Sequence, residues 1–505
     1  SCALQLNPSL SRRLSHLEDR LLGHDNPEGE RSDMSGVNVW RETEELLKLA
    51  SQAAREYLES LPSRPVAGRV NAPELRERLG GPLPEEGNDP VDTLRSFVSS
   101  VERGLVATSG PRFFGFVNGG NLPVTMAADW LTSAWDQNAG MYVESPAASI
   151  VEGIAAKWLL EILGLPPTAS VGFVTGCQMA NFTALAAARN EVLARAGWDV
   201  EQDGLPDAPR VHIVVGAEAH VTILTSLRML GFGTRGVKVA EADGQGRMKP
   251  DALAKILSSV EGPTIVCAQA GNVNTGSFDP FEEIAEIAKQ RRAWLHVDGA
   301  FGLWARASSR LRHLLRGVEQ ADSWATDAHK WLNCPYDSGI AMVRDPTPHL
   351  RATSVRASYL AAAAETEIDP MNWVPESSRR ARGFTVYVAL RSLGRKGITD
   401  LVDRCCDHAR SMAARLSAEP AVEILNDVVL NQVLVRFRSK DEKSSNTLTD
   451  AVIRRVQSEG TCWAGGTAWH GRAAMRISIV NWSTTRDDIE KAAAAILRCL
   501  DEERK

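Results

Sequence analysis

Asp327-Ala328-His329-Lys330-Trp331 is the stretch on which the reading of this chain turns. A lysine directly follows a histidine, and the short apolar run before them, Ser323 to Thr326, reads as a strand. Upstream, His296-Val297-Asp298-Gly299-Ala300 closes another apolar run, Trp294 to Val297, on a lone aspartate. A lysine amine can condense with an aldehyde, and a carboxylate can keep a pyridine nitrogen protonated so that the ring accepts electrons. Either residue alone is commonplace, since most lysines are solvated surface charges and most strand-end aspartates serve turns or caps. Together they fit pyridoxal 5'-phosphate (PLP), provided that the rest of a pocket is encoded nearby.

The surrounding pattern supplies a frame for one. From residue 121 to 385 short apolar runs alternate with helical stretches. The runs are Val171 to Thr175, Val211 to Val215, Thr264 to Ala268, Trp294 to Val297, Ser323 to Thr326 and Gly339 to Val343. Ala180 to Ala196 and Phe281 to Arg292 are the clearest helices between them. Such alternation predicts an α/β domain with a mostly parallel, doubly wound sheet, its strands buried on both faces. Ligands of such sheets lie beyond the carboxyl ends of the strands, which is where Gly271-Asn272, Asp298 and Lys330 fall. Residues 1–120 read as an N-terminal helical arm, with helices at Ser11 to Leu22 and Val39 to Leu61 and a break at Gly80-Gly81-Pro82. Residues 386–505 read as a smaller α+β domain. Its helices are Thr399 to Leu416 and Asn446 to Glu459, after a linking helix Thr385 to Ser392, and its strands are Val428 to Phe437 and Met475 to Val480.

Bulk properties narrow the partners. A length of 505 residues implies more than one domain, and 44% hydrophobic with 24% charged residues is ordinary for a globular protein. A net charge of −6 without a basic run argues against nucleic acid. No apolar stretch has the length of a membrane span, and the first residues lack the pattern of a secretory signal. The eight cysteines form no CxxC and no cluster with histidine, so the expectation is reduced thiols, a cytoplasmic protein and no metal site.

Two further motifs suit the cofactor. Thr175-Gly176-Cys177-Gln178-Met179-Ala180-Asn181 joins a strand to a helix, and a small-residue turn at a helix N-terminus offers N–H groups to a phosphate. His220, in Ala217-Glu218-Ala219-His220, follows a strand and could stack on a pyridine ring.

With Ser145-Pro146-Ala147-Ala148, Ser277-Phe278-Asp279-Pro280 and Ser358-Tyr359-Leu360, these motifs occur in an order that resembles the group II PLP-dependent amino-acid decarboxylases. That family includes the aromatic L-amino-acid and glutamate decarboxylases. The resemblance runs from about Pro111 to the C-terminus. It implies the PLP-dependent transferase-like fold (fold type I), a small amino-acid substrate and a homodimer with shared active sites. It implies that Lys330 bonds the cofactor aldehyde, Asp298 pairs with the pyridine nitrogen and His220 stacks on the ring. Gly176, Cys177 and Gln178 would meet the phosphate with His329 beside it, and Ala300 would pack under the ring. Arg476 would face the substrate carboxylate, and Ser378 would lie in a segment reaching the neighbouring subunit's cofactor.

Three departures from the family pattern stand out. Asp327 replaces a usual asparagine, placing a carboxylate near the phosphate. Asn272, in Gly271-Asn272-Val273-Asn274, replaces a Gly-Thr-Thr strand end. The loop after Tyr359-Leu360, Ala361 to Asn372, carries no tyrosine, although the family commonly uses one there to return a proton after CO2 loss. Phe116 and Trp135 favour an aromatic substrate, whereas Asn118, Gln137 and Asn138 make that wall more polar. The expected activity is decarboxylation, with an aromatic amino acid as first choice and an acidic or polar one as alternative. An aldehyde synthase, an aminotransferase and a non-catalytic PLP-fold protein are the rival readings.

Overall fold

In the computed structural model, residues 34–68, 70–354 and 367–505 are described. The expected helix at Ser11 to Leu22, the Ser358-Tyr359-Leu360 motif and residues 361–366 lie outside them.

The chain forms two compact units. The first comprises described residues up to Glu59 and from Val70 to Arg103. It is helical, with Met34–Ser60, Ala72–Leu79 and Pro90–Val101. Asn71 and Asp89 start the two shorter helices by accepting from the N–H groups of Glu74 (3.0 Å) and Asp92 (2.9 Å). Proline follows within the first turn of each, where no N–H is needed.

The second unit, Ser60–Arg69 with Gly104–Lys505, holds two sheets. Strands β1 (Ser170–Val174), β2 (His212–Gly216), β3 (Lys238–Ala240), β4 (Thr264–Gln269), β5 (Trp294–Asp298), β6 (Ser323–Asp327) and β7 (Gly339–Val343) form the larger one. Their order is β1-β7-β6-β5-β4-β2-β3. Only β7 runs antiparallel to its neighbours. Strands β4 to β7 are buried at every position, which explains why they read as unbroken apolar runs. The smaller, antiparallel sheet orders β8 (Val422–Ile424), β9 (Gln432–Phe437), β10 (Gly465–Trp469) and β11 (Arg472–Ser478) as β10-β11-β9-β8.

Several boundaries differ from expectation for local reasons. The strand expected from Val428 begins at Gln432. Asn426 takes the ladder positions before it, donating to Gln432 O at 3.0 Å and accepting from Leu434 N–H at 2.9 Å. The two helices expected around residue 395 join as Gly383–Ser417, with a kink at Gly394 (φ 58°), a conformation that glycine adopts without a Cβ penalty. The edge strands β3, β8 and β10 are too short or too mixed to show in a periodicity. Because β1, β2, β4, β5 and β6 run the same way, the turns after them gather along one edge of the sheet.

Candidate active site

Asp298 ends β5 and is 4% exposed. Its Oδ1 accepts from Ala300 N–H at 3.2 Å and from the Cys177 thiol at 3.5 Å. Among the described residues nothing donates to Oδ2, so one carboxylate oxygen is free for a protonated ring nitrogen. Lys330 follows β6, and its ammonium lies 3.0 Å from Asp327 Oδ2 and 5.7 Å from the centre of the Phe301 ring. Burial alone would lower the lysine's pKa, but the carboxylates of Asp327 and Asp298 outweigh it and raise the value.

His220 caps the helix Val221–Met229. Its Nδ1 accepts from Thr222 N–H (3.4 Å) and lies 2.7 Å from Thr222 Oγ1, which leaves the ring proton on Nε2. Burial lowers its pKa against the opposing pull of Asp298, so the imidazole is neutral and its flat face is free of charge. Lys330, Arg476 and Asp327 also act on it electrostatically, and the small sheet meets the turn after β4 where the Thr467 hydroxyl of β10 donates to Asn274 Oδ1 at 3.0 Å. The Arg476 guanidinium is half-buried and its pKa is lowered by burial. Among the described residues it forms no ion pair and no side-chain hydrogen bond. A desolvated guanidinium without an anion is a site for a carboxylate.

The turn after β1 delivers the N-terminus of the helix Cys177–Ala194. There the Cys177 N–H donates to Asp327 Oδ1 at 2.6 Å, so a carboxylate of this chain occupies the position that suits a phosphate. His329 Nε2 lies 3.4 Å from the same oxygen, and burial lowers its pKa. Burial, then Asp298 and Asp327, push the Cys177 thiol far up, so it is protonated and inert as a nucleophile. Gly176 and Gly339 pack backbone to backbone: a Cβ on Gly339 would stand 2.4 Å from Gly176 Cα.

The other expected residues divide. Ala300 is partly buried beside Asp298 and packs on Val174, Cys177 and Ala325. Asn118 stays at the site, accepting from the Tyr336 hydroxyl at 2.8 Å. Phe116, 62% exposed, leans on Trp463 with ring centres 5.3 Å apart. Asn272 spends its side chain on its own loop, accepting from Asn274 N–H (2.8 Å) and Thr275 N–H (3.1 Å) and donating to Glu218 O (3.4 Å). Asn138 bonds Glu144 and Arg379 N–H, and Trp135 meets Phe384 edge-on, both apart from the Lys330 cluster. Gln178 and Ser378 are exposed. The neighbour of Ser378, Arg379, is buried and pinned by Glu152 (2.9 Å) and by the carbonyls of Ala139 and Phe173. Tyr336 was not singled out in the sequence, because one aromatic in a Pro-Tyr-Asp turn carries no periodic or spacing signal. Among the described residues no group of three or more His, Cys, Asp or Glu could hold a metal, and no helix is long and apolar enough to cross a membrane.

A half-buried lysine, a carboxylate with an open oxygen, a neutral imidazole and a helix N-terminus on one sheet edge fit PLP. Residues 75–440 match the model of the pyridoxal-dependent decarboxylase conserved domain. The chain belongs to the pyridoxal-dependent decarboxylase family. An aromatic-L-amino-acid decarboxylase of Bacillus atrophaeus is 27% identical over 465 residues, covering 90% of this chain and 95% of that protein. An acidic amino acid decarboxylase of Bos taurus is 30% identical over 436 residues, covering 83% and 82%. The crystal structure of Oryza sativa TDC with PLP and tryptamine superposes with a TM-score of 0.85 at 23% identity, over 94% of this chain and 99% of that one, a likeness of fold. The decarboxylase's cofactor is PLP, and its reaction is the loss of CO2 from an amino acid.

Proposed function

We propose that the decarboxylase acts on an L-amino acid with an aromatic side chain, as a cytoplasmic homodimer. The observation that carries the reading is the half-buried, unpaired Arg476 guanidinium within electrostatic reach of His220, which in turn feels Lys330 and Asp298. A substrate carboxylate would pair with Arg476 while its α-amine meets the cofactor held at Lys330. The side chain then extends along Phe116, Trp463 and Tyr336, aromatic faces on which a ring stacks.

Lys330 would hold the cofactor aldehyde and Asp298 Oδ2 its pyridine nitrogen, with His220 against the ring. The Gly176-Cys177-Gln178 turn and His329 would meet the phosphate. When bound, the cofactor supplies an electron sink for the pair released from the α-carbon. Lys330 gives up its ion pair with Asp327 as its amine becomes a nucleophile. Neutral His220 adds no charge against the protonated ring, and Asp298 keeps its proton in place. Arg476 orients the carboxylate so that the bond to CO2 is the one that breaks.

Exposed apolar side chains support the dimer. Trp130 (45%), Leu131 (48%) and Trp135 (52%) on Pro123–Trp135, Val143 (79%) in the segment after it and Ile150 (43%) on Pro146–Leu163 follow one another in the chain. Ser378, exposed beside the anchored Arg379, is the residue assigned to the partner's site. The seven described cysteines are free and buried, consistent with a reducing compartment. A panel of free L-amino acids, assayed for CO2 with identification of the product, tests the reading. Amine from L-tyrosine, L-phenylalanine or L-tryptophan supports it, and turnover confined to L-glutamate or L-2,4-diaminobutyrate overturns the substrate class.

A further inference from the structure

Decarboxylation exchanges a carbon–carboxylate bond for a carbon–hydrogen bond, so some group must hand a proton to the α-carbon. Residues 360–372 contain no phenol. Around Lys330 the described acids are few. The Cys177 thiol is bonded to Asp298 in the buried floor, and the Nδ1 of His220 is held by Thr222.

Tyr336 stands at the open side of the same cluster. Its ring stacks on His329, the residue before Lys330, with centres 4.3 Å apart and planes at 29°. Its hydroxyl donates to Asn118 Oδ1 at 2.8 Å. Asn118 is itself fixed to the Lys330 segment. Gly119 N–H donates to His329 O at 3.2 Å, and a Cβ on Gly119 would lie 2.2 Å from Lys330 O. Phe116 (φ 53°) and Val117 (φ 61°) hold left-handed backbone just before it, a conformation that is strained for bulky and β-branched residues. Tyr336 is 57% exposed as a residue, so a small molecule can reach its ring from solvent. Burial of the hydroxyl raises its pKa to about 12, offset in part by Lys330, so the phenol carries its proton at neutral pH.

We propose that Tyr336 is the acid that protonates the substrate's α-carbon once CO2 has left, an inference that rests on the decarboxylation described above. The bond from the α-carbon to the carboxylate breaks and CO2 departs. The electron pair left behind takes the phenolic proton, and the phenolate recovers a proton from water. Asn118 holds the hydroxyl at rest by accepting from it, and that hydrogen bond breaks as the proton passes to the α-carbon.

The test compares wild type, Tyr336→Phe and Tyr359→Phe holoenzymes on the aromatic, acidic and diamino L-amino acids named above. It follows CO2, amine, aldehyde and hydrogen peroxide in air and without oxygen, with PLP affinity measured by absorbance titration. For Tyr336→Phe the expected result is unchanged PLP affinity and amine formation reduced by about a hundred-fold or more. In air, part of the CO2 should be accompanied by aldehyde, ammonia and peroxide, because O2 and water then consume the unprotonated carbon. Amine formation by Tyr336→Phe at the wild-type rate overturns the proposal. So does loss of amine in Tyr359→Phe alone, or a loss in Tyr336→Phe explained by weakened PLP binding. Aldehyde rather than amine from the wild type overturns it too, and a wild type that releases no CO2 removes the underlying reading itself.

Discussion

The Asp327 carboxylate bridges two groups proposed to engage PLP: Oδ2 lies 3.0 Å from Lys330 Nζ, and Oδ1 accepts from Cys177 N–H. The first contact keeps the lysine protonated, hence non-nucleophilic. The second neutralises a helix N-terminus that would otherwise be open to an anion.

A phosphate at the Cys177 amide would meet the Asp327 carboxylate that accepts from it, and two anions repel. Asp327→Asn keeps an acceptor for the Cys177 amide and removes the charge facing a phosphate. PLP affinity should rise by about ten-fold, roughly 1.4 kcal/mol, in an absorbance titration. Equal or weaker binding by the variant would show that the carboxylate turns away without cost.

Lys330→Ala should abolish the visible absorbance of the cofactor–lysine bond and bring CO2 release below detection. A variant that keeps both the absorbance and full turnover would place the attachment elsewhere.

Arg476→Gln should act mainly on KM. Losing a charge-assisted contact to the substrate carboxylate costs about 1.5–3 kcal/mol, or about ten- to a hundred-fold in kcat/KM. A pure kcat effect with unchanged KM would argue against ground-state carboxylate binding.

Acid sensitivity should have a structural part unrelated to catalysis. His296 is fully buried between Asn181 Oδ1 and Ser323 Oγ, each 2.9 Å away, and burial lowers its pKa to about 3. The unfolded chain takes up a proton near pH 6.5 whereas the folded one does so only near 3. Its contribution is therefore complete above pH 6.5 and falls by about 1.4 kcal/mol per unit as pH drops toward 3. Denaturant melts of His296→Gln should show a shallower acid limb than wild type. An unchanged slope would assign the acid sensitivity to other groups.

Trp130→Glu puts a charge into the exposed apolar stripe. If the stripe is the dimer contact, sedimentation should show association weakened by about thirty-fold or more, the loss of one hot-spot side chain of about 2 kcal/mol. Unchanged association would move the interface elsewhere.

What the sequence by itself determined was the large sheet and the groups at its strand ends. Strands buried on both faces must be apolar throughout, so a charged residue at such a run's end is visible against it. Asp298 and Lys330 stood out for that reason, and the Thr175 to Asn181 turn stood out by its small residues before a long helix. The polar wall was less legible. Asn138, Asn272 and Gln178 have the right chemistry, yet Asn138 and Asn272 bond other backbone and side-chain groups and Gln178 is exposed, and no one-dimensional pattern records a side chain's partner. Tertiary structure alone decided that Asp327 holds Lys330 and the Cys177 amide together, that Thr467 of the other sheet meets Asn274 in the turn after β4, and that Tyr336 meets Asn118. Each joins segments through side-chain geometry rather than periodicity. Backbone pattern reports which face is buried, whereas the pairing of polar groups is fixed only when separate elements pack.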